Sequence, residues 1–535
     1  MDRAVVSDHG SVARATLLAV PAAFVAILFA VPVAAVLLTG MRGDMLATFT
    51  AGRTWQIVGF TILQAALSTL ATVVVALPAA VVIARFRFPG RAALRALVLV
   101  PFVMPTVVVA AAFLALIGPN GLLGVDLSGS LTGLVAAHMF LNLAVVVRVV
   151  GAALAGLDPR LEDAARILGC SPWQVFRRVT WPLILPSLKA AATIVFLFCF
   201  TSFGVVQVLG AGQLRTVEVE IYRRTTYLLD LPAAAALSLL QLLAVVAMLV
   251  VVGSTRAERT PPALDPARRP QRGERVAVAF VALLTAVLVL APLIVVLFRS
   301  VWIDGWTLAG WQTLFSPGDS TNAVEPWRAL LASLRTAAAA TLIAVVLGVM
   351  ASLGLTMSRR TGWLRSLDAM LLLPLGTSAV TVGLGMLLAF GRPPLDLRNT
   401  GLLIVLAQAL VALPFVVRVL TPAFSGFDRR YLDVAATLRK TPRQALFSVA
   451  LPLLLPAMAV TVGFAFAVTV GEFGATVFLA SPADPTLPVA IARLLARPGA
   501  TTVAAAYAAG AVLMGITVVT VLLIDRVRVG RGVAF

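Results

Sequence analysis

Residues 163 to 172 read Asp163-Ala164-Ala165-Arg166-Ile167-Leu168-Gly169-Cys170-Ser171-Pro172, and Trp181-Pro182 and Pro186 follow. The pattern returns later as Asp433-Val434-Ala435-Ala436-Thr437-Leu438-Arg439-Lys440-Thr441-Pro442, then Leu451-Pro452 and Pro456. The offset that carries Asp163 onto Asp433 holds without a gap from Val147-Arg148-Val149, which meets Val417-Arg418-Val419, to Thr216, which meets Thr486. Gly156 meets Gly426, Asp158 meets Asp428, and Phe203-Gly204 meets Phe473-Gly474 within the same register. Chance does not keep such a register across about 70 residues, so the chain contains an internal duplication.

Each copy reads as a helix, a turn and a second helix. Leu161, Ala165 and Leu168 form a small apolar stripe at helical spacing, and Gly169 suits the left-handed position that ends a helix. Ser171-Pro172 and Thr441-Pro442 then restart one, with a side-chain cap followed by proline at the first helical position. One copy alone reads as a capped surface helix-turn; two copies at the same place in a repeat argue against that plain reading.

Outward from this segment the chain is apolar. Its 535 residues are 60% hydrophobic and 12% charged, with a mean hydropathy of +1.01, too apolar for a soluble domain. Stretches long enough to span a bilayer recur along the whole sequence. The hydropathy predicts helices near 15–39, 56–84, 95–117, 131–150, 182–208 and 232–253, and again near 276–298, 329–357, 366–390, 400–420, 452–480 and 502–524. The first of these is longer than a signal-peptide core and reads as a retained span. The fold class is therefore an all-α membrane protein of about twelve spans in two six-helix repeats, 1–255 and 276–535. An even number of spans gives both repeats one orientation. The linker between them, 256–275, carries four prolines and six arginines.

The net charge of +19 reflects loop placement rather than nucleic-acid binding. With the N-terminus inside, about 30 of the 42 Lys and Arg residues fall on the cytoplasmic side, which puts both termini there. Two cysteines, Cys170 and Cys199, are too few for a disulfide framework, and the histidines, His9 and His138, are too scattered for a metal site. His138 and Asn142, one turn apart, read as interhelical hydrogen-bonding groups. The two lysines, Lys189 and Lys440, lie in no phosphate-cradling loop, so the sequence carries no such ATP-binding motif.

The pattern Asp-Ala-Ala, three residues, Gly, then a downstream Leu-Pro resembles the EAA loop of permeases of binding-protein-dependent ABC importers, with Asp in place of Glu. The likeness extends over nearly the whole chain to the fused permeases of the thiamine and ferric-iron importer group. It is carried by Ala137-His138-Met139-Phe140-Leu141-Asn142-Leu143, Phe200-Thr201-Ser202-Phe203-Gly204 and Gly471-Glu472-Phe473-Gly474-Ala475. Within that group the resemblance is strongest to thiamine permeases, through Thr216-Val217-Glu218-Val219-Glu220-Ile221-Tyr222 and the length.

The resemblance implies a type I ABC importer permease fold in the bacterial inner membrane, with EAA-like loops at 158–186 and 428–456. It implies that Asp163, Ala164, Ala165 and Gly169, with Asp433, Ala435 and Arg439, dock on two copies of an ATPase subunit. By the same resemblance, ATP and its Mg²⁺ are expected in that subunit and no cofactor in this chain, and a soluble substrate-binding protein is expected to deliver the cargo, a small cation such as thiamine or ferric iron. Arg439 replaces the motif glycine and Val434 the first alanine, so the second loop is expected to turn differently or to bind less tightly. The rival is a secondary transporter driven by an ion gradient, which also uses parallel six-helix halves. The paired loops argue against it.

Glu472, in the outer part of the eleventh predicted span between Gly471 and Gly474, reads either as a pathway group or as a structural one. Its repeat partner is Ser202, and Phe203 and Phe473 adjoin them as pathway candidates. Glu218 and Glu220 are expected in the outer loop after the fifth span. Arg148 and Arg418 suit snorkelling anchors at cytoplasmic helix ends, whereas Arg335, within a span, could pair with a carboxylate.

Overall fold

The computed structural model describes residues 16–253, 267–303, 305–316, 325–357, 362–391, 393, 396–398, 400–428, 430–481 and 484–529. These residues are helical, with two isolated bridges in place of any sheet. Both chain ends and linker residues 256–266 lie outside them.

Ten described helices are long and apolar enough to cross a membrane. The count is eleven if Arg91–Val103 and Thr106–Ile117, bent by 105°, form one span. That bend has a local cause. Pro105 has no N–H to continue the helix and holds Met104 extended, at φ −64° and ψ 139°. The span expected at 366–390 is divided as well, into Gly362–Leu372 and Ala379–Phe390. Leu373–Gly376 form a 3₁₀ turn there, and the Ser378 hydroxyl caps the second helix by accepting from Val380 and Thr381 N–H. The third predicted span of each repeat is thus interrupted by proline.

The chain packs as two compact units. One comprises Asp44–Ser316 and Ile491–Met514; the other comprises Met1–Gly43, Pro317–Ala490 and Gly515–Phe535. In the first unit the helices Gly52–Arg85, Leu131–Ala155 and Trp181–Phe200 pack on one another, and Arg275–Arg299 packs against Thr106–Ile117 and Arg91–Val103. Ala111, Ala115, Val295 and Tyr507 form a buried cluster in that unit. In the second unit Pro326–Met357 crosses Leu402–Ser425 so closely that a Cβ on Gly348 would meet Val416 Cγ1. Small residues permit this approach in membranes, where packing rather than water drives association. The N-terminal span belongs to this second unit: Pro32 abuts Gly385, and Leu18, Val25 and Leu28 share a core with Leu403 and Leu410.

The described end of the linker is not loose. Arg268 pairs with the end of the second span, donating its N–H to Arg85 O at 2.9 Å and accepting from Arg87 N–H at 2.8 Å. Its guanidinium lies 4.9 Å from the Phe86 ring centroid and forms a two-point pair with Glu274 at 2.5 and 2.7 Å.

Candidate coupling loops and pathway residues

The first loop begins with Asp158, whose Oδ1 accepts the Arg160 N–H at 2.9 Å and caps the helix Pro159–Ile167. Leu168 and Gly169 close that helix. Gly169 sits at φ +82°, its N–H bonds Arg166 O at 2.9 Å, and Cys170 N–H bonds Ala165 O at 3.1 Å. This double bond around a left-handed residue satisfies the last carbonyls of the helix. Ser171 and Gln174 then cap the next helix reciprocally, at 2.9 and 3.3 Å.

The second loop repeats this geometry. Arg439 takes φ +58°, its N–H bonds Ala436 O at 2.9 Å, and Lys440 N–H bonds Ala435 O at 3.0 Å. Thr441 and Gln444 reproduce the reciprocal cap at 2.9 and 3.3 Å. The expectation of a different turn is therefore corrected. Arginine adopts the conformation that glycine supplies in the first copy, at a steric cost of about 1 kcal/mol. Beyond each cap lies one π-helical turn, Phe176–Thr180 and Leu446–Ala450, which leads into the helices that begin Trp181-Pro182 and Leu451-Pro452.

Ala165 and Ala435 are buried against the body of the protein, whereas Ala164 is exposed. Leu161 and Leu168 do not turn inward with Ala165 as one stripe. Ile167 is 86% exposed and Leu168 83%, and Trp173 is exposed beside them. Val434, Leu438 and Phe447 are exposed on the second loop. Asp163 is exposed and pairs with Arg166 at 2.8 Å, and Asp433 occupies the first turn of Arg430–Thr437.

The carboxylate that anchors the first loop is one that the motif reading missed. Glu162 accepts Arg85 at 2.5 and 3.1 Å and the Thr180 hydroxyl at 2.6 Å. Burial alone would raise its pKa, but the Arg85 and Thr180 hydrogen bonds and the charges of Arg85 and Arg166 outweigh that and hold it below the ordinary carboxylate range. Leu432 stands at the paired position of the second loop and supplies no carboxylate there.

The pathway candidates lie where each fifth span breaks. Trp181–Phe200 stops before Ser202-Phe203, and Leu451–Val470 stops before Glu472-Phe473. Ser202 Oγ lies 2.8 Å from His138 Nε2, and His138 Nδ1 lies 3.1 Å from Ser68 Oγ. Asn142 reaches His138 O at 2.9 Å and Cys199 Sγ at 3.5 Å. His138 and Asn142 thus join three helices. Phe203 is buried with its ring 5.3 Å from that of Tyr222, and Phe473 is buried in the other unit.

Glu472 is buried, and its two carboxylate oxygens accept main-chain N–H groups, Ala475 at 2.7 Å and Thr476 at 3.0 Å. Gly474 has no room for a side chain, because a Cβ there would lie 2.9 Å from Ala379 Cβ. Its neighbour is therefore a helix. Glu218 and Glu220 lie on the helix Val217–Thr226 rather than in an open loop, and both are fully buried. Gln241 donates to Glu218 at 2.5 Å, and Arg223 and Arg224 bracket Glu220 at 2.8 and 3.1 Å. Arg148, Arg418 and Arg335 are all exposed.

The duplication persists in these contacts. Val217 N–H bonds the Thr61 hydroxyl at 3.1 Å, and Leu487 N–H, its repeat partner, bonds the Ser333 hydroxyl at 2.6 Å.

A family described as binding-protein-dependent transport system inner membrane component matches residues 73–257 and again 344–529. The chain is also similar to the thiamine transport system permease protein ThiP of Escherichia coli, 28% identical over 474 residues that cover 84% of each chain. Similarity to the protein of that name from Brucella suis is 29% over 500 residues, 90% of this chain and 89% of the other. A probable ABC transporter permease protein, y4fN of Sinorhizobium fredii, is 27% identical over 513 residues, 88% of this chain and 87% of the other.

Proposed function

Because the chain belongs to the family of binding-protein-dependent transport system inner membrane components, a multi-pass ABC importer permease and not itself an enzyme, we propose that it carries thiamine inward across the bacterial membrane. ATP hydrolysed by two copies of a separate ATPase subunit drives the cycle, and a soluble binding protein delivers the cargo. The relatives named for thiamine transport, which align over most of both chains, support the choice of substrate.

The observation that carries the coupling reading is the pair of matching capped turns, each displaying large apolar side chains to solvent next to an exposed motif acid. Such residues gain from burial in a partner's cleft, at about 25 cal/mol per Å². The loops 158–186 and 428–456 dock on the two ATPase subunits, and both chain termini share their cytoplasmic side. The excess of arginine in alternate loops supports that orientation. The pathway passes the fifth-span breaks at Ser202-Phe203 and Glu472-Phe473. The backbone hydrogen bonds of Glu472 hold this break in shape.

Reconstitution of the chain with its ATPase and binding protein, followed by assay of labelled thiamine and ferric-iron uptake, tests the reading. Thiamine uptake that requires ATP is expected. Uptake that continues without the ATPase and collapses with the proton gradient would replace it with a secondary transporter. Crosslinkers placed at the exposed Ala164 and Val434 are expected to capture the ATPase, and failure at both positions would remove the docking assignment.

A further inference from the structure

A groove of about 1060 Å³ opens between the helices Arg91–Val103 and Arg275–Arg299, with Arg269 and Pro270 of the linker in its lining. Leu97, Ala282 and Ala286 line its apolar part, and Arg87, Arg269 and Arg275 line its mouth. All three arginines are exposed. The nearby acid Glu274 is committed to Arg268 at 2.5 Å. Both helices begin at this end, so their dipoles add to the positive potential. Along Arg275–Arg299, Val276, Phe280 and Leu283 point outward at helical spacing, a stripe suited to acyl chains.

We infer that this groove is a binding site for one anionic diacyl phospholipid, with its phosphate among Arg87, Arg269 and Arg275 and an acyl chain along Leu97, Ala282 and Ala286. A soluble anion would leave the apolar wall against water, and a polar peptide would leave backbone groups unpaired there. A zwitterionic lipid would bring a second cation to the arginines. An anionic lipid satisfies both parts, and basic pockets beside spanning helices recognise such headgroups. Arg269 and Pro270 come from the fusion linker, so the site exists because the two repeats are joined. Its assignment to the cytoplasmic leaflet rests on the orientation proposed above, whereas the lipid binding itself does not.

The test uses the purified full chain, without partner subunits, exchanged into nanodiscs containing both phosphatidylglycerol and phosphatidylcholine. Native mass spectrometry then reads the lipid that is retained. At least about tenfold preference for phosphatidylglycerol is expected from three interfacial arginines. R87Q/R269Q/R275Q should abolish the preference, and A282W, which keeps every arginine, should abolish retention by filling the groove. Size-exclusion profiles matching the wild type establish that each variant is folded, and either variant alone suffices for the comparison. Equal retention of the two lipids by the wild type, or an unchanged preference in a folded variant, overturns the inference. Displacement by glycerol 3-phosphate would identify a headgroup-only anion site and overturn the diacyl-lipid assignment.

Discussion

Arg85 and Glu162 meet through two hydrogen bonds, 2.5 and 3.1 Å long, that tie the helix Pro159–Ile167 to the end of the Gly52–Arg85 helix. Because the Thr180 hydroxyl meets the same carboxylate, one acid fixes both arms of the helix-turn-helix to the span before them. The loop is therefore joined directly to a spanning helix. Leu432, at the paired position of the second loop, cannot make this connection.

Glu162→Gln is expected to weaken coupling more than any single change in the second loop and to lower stability by about 2 kcal/mol, since the pair is largely withdrawn from water. The pH dependence has a defined sign. The Glu162 pKa is depressed below 4.5 in the folded state, so its contribution is complete above 4.5 and disappears as pH falls through the depressed value. Thermal unfolding of wild type and variant should differ at pH 7 and converge in strong acid. A gap that persists there would assign the effect to packing.

Arg439→Gly should stabilise the second loop by about 1 kcal/mol, because glycine enters the left-handed region without a Cβ clash. Hydrogen exchange at the amides of residues 439 and 440 should slow by about fivefold. Gly169→Arg should produce the opposite change in the first loop. If exchange at 439 is unaffected, the two sequences turn at equal cost.

Asp163→Lys tests docking apart from folding. The Asp163–Arg166 pair is exposed and spans one helical turn, so its loss should cost no more than about 0.5 kcal/mol. ATPase stimulation by the chain should nevertheless fall severalfold, and Ile167→Asp should reduce it further by placing a charge in the apolar contact. A large drop in melting temperature with normal stimulation would contradict the docking role.

Glu472→Gln replaces one carboxylate oxygen with an amide that cannot accept, leaving a buried main-chain N–H without its acceptor. A loss of about 1 to 3 kcal/mol is expected, with thiamine uptake falling alongside it. Reduced uptake at unchanged stability would instead identify a group that contacts the cargo.

Several features were legible in the sequence because they are local. The duplication needs only an alignment of the chain with itself, and the spans need only apolar runs of bilayer length. The caps at Ser171 and Thr441 follow from a hydroxyl, a proline and a glutamine within four residues. The division of 366–390 was readable in part, since Pro374 and Ser378 mark the break that mean hydropathy hides.

Tertiary structure alone decided which distant groups meet. Nothing near Glu162 in the chain designates Arg85, and apolar periodicity cannot say that the N-terminal span packs in the unit holding Leu403 and Leu410. The same limit explains Arg439, where the sequence suggested a departure but the surrounding helix ends imposed the glycine geometry. It also explains Glu472. Composition marks a buried carboxylate as costly, but whether backbone amides, an arginine or a ligand offsets that cost depends on where the broken helix places its N–H groups. Local chemistry fixes where helices start and stop, whereas the partners of buried charges are selected by the packing of helices far apart in sequence.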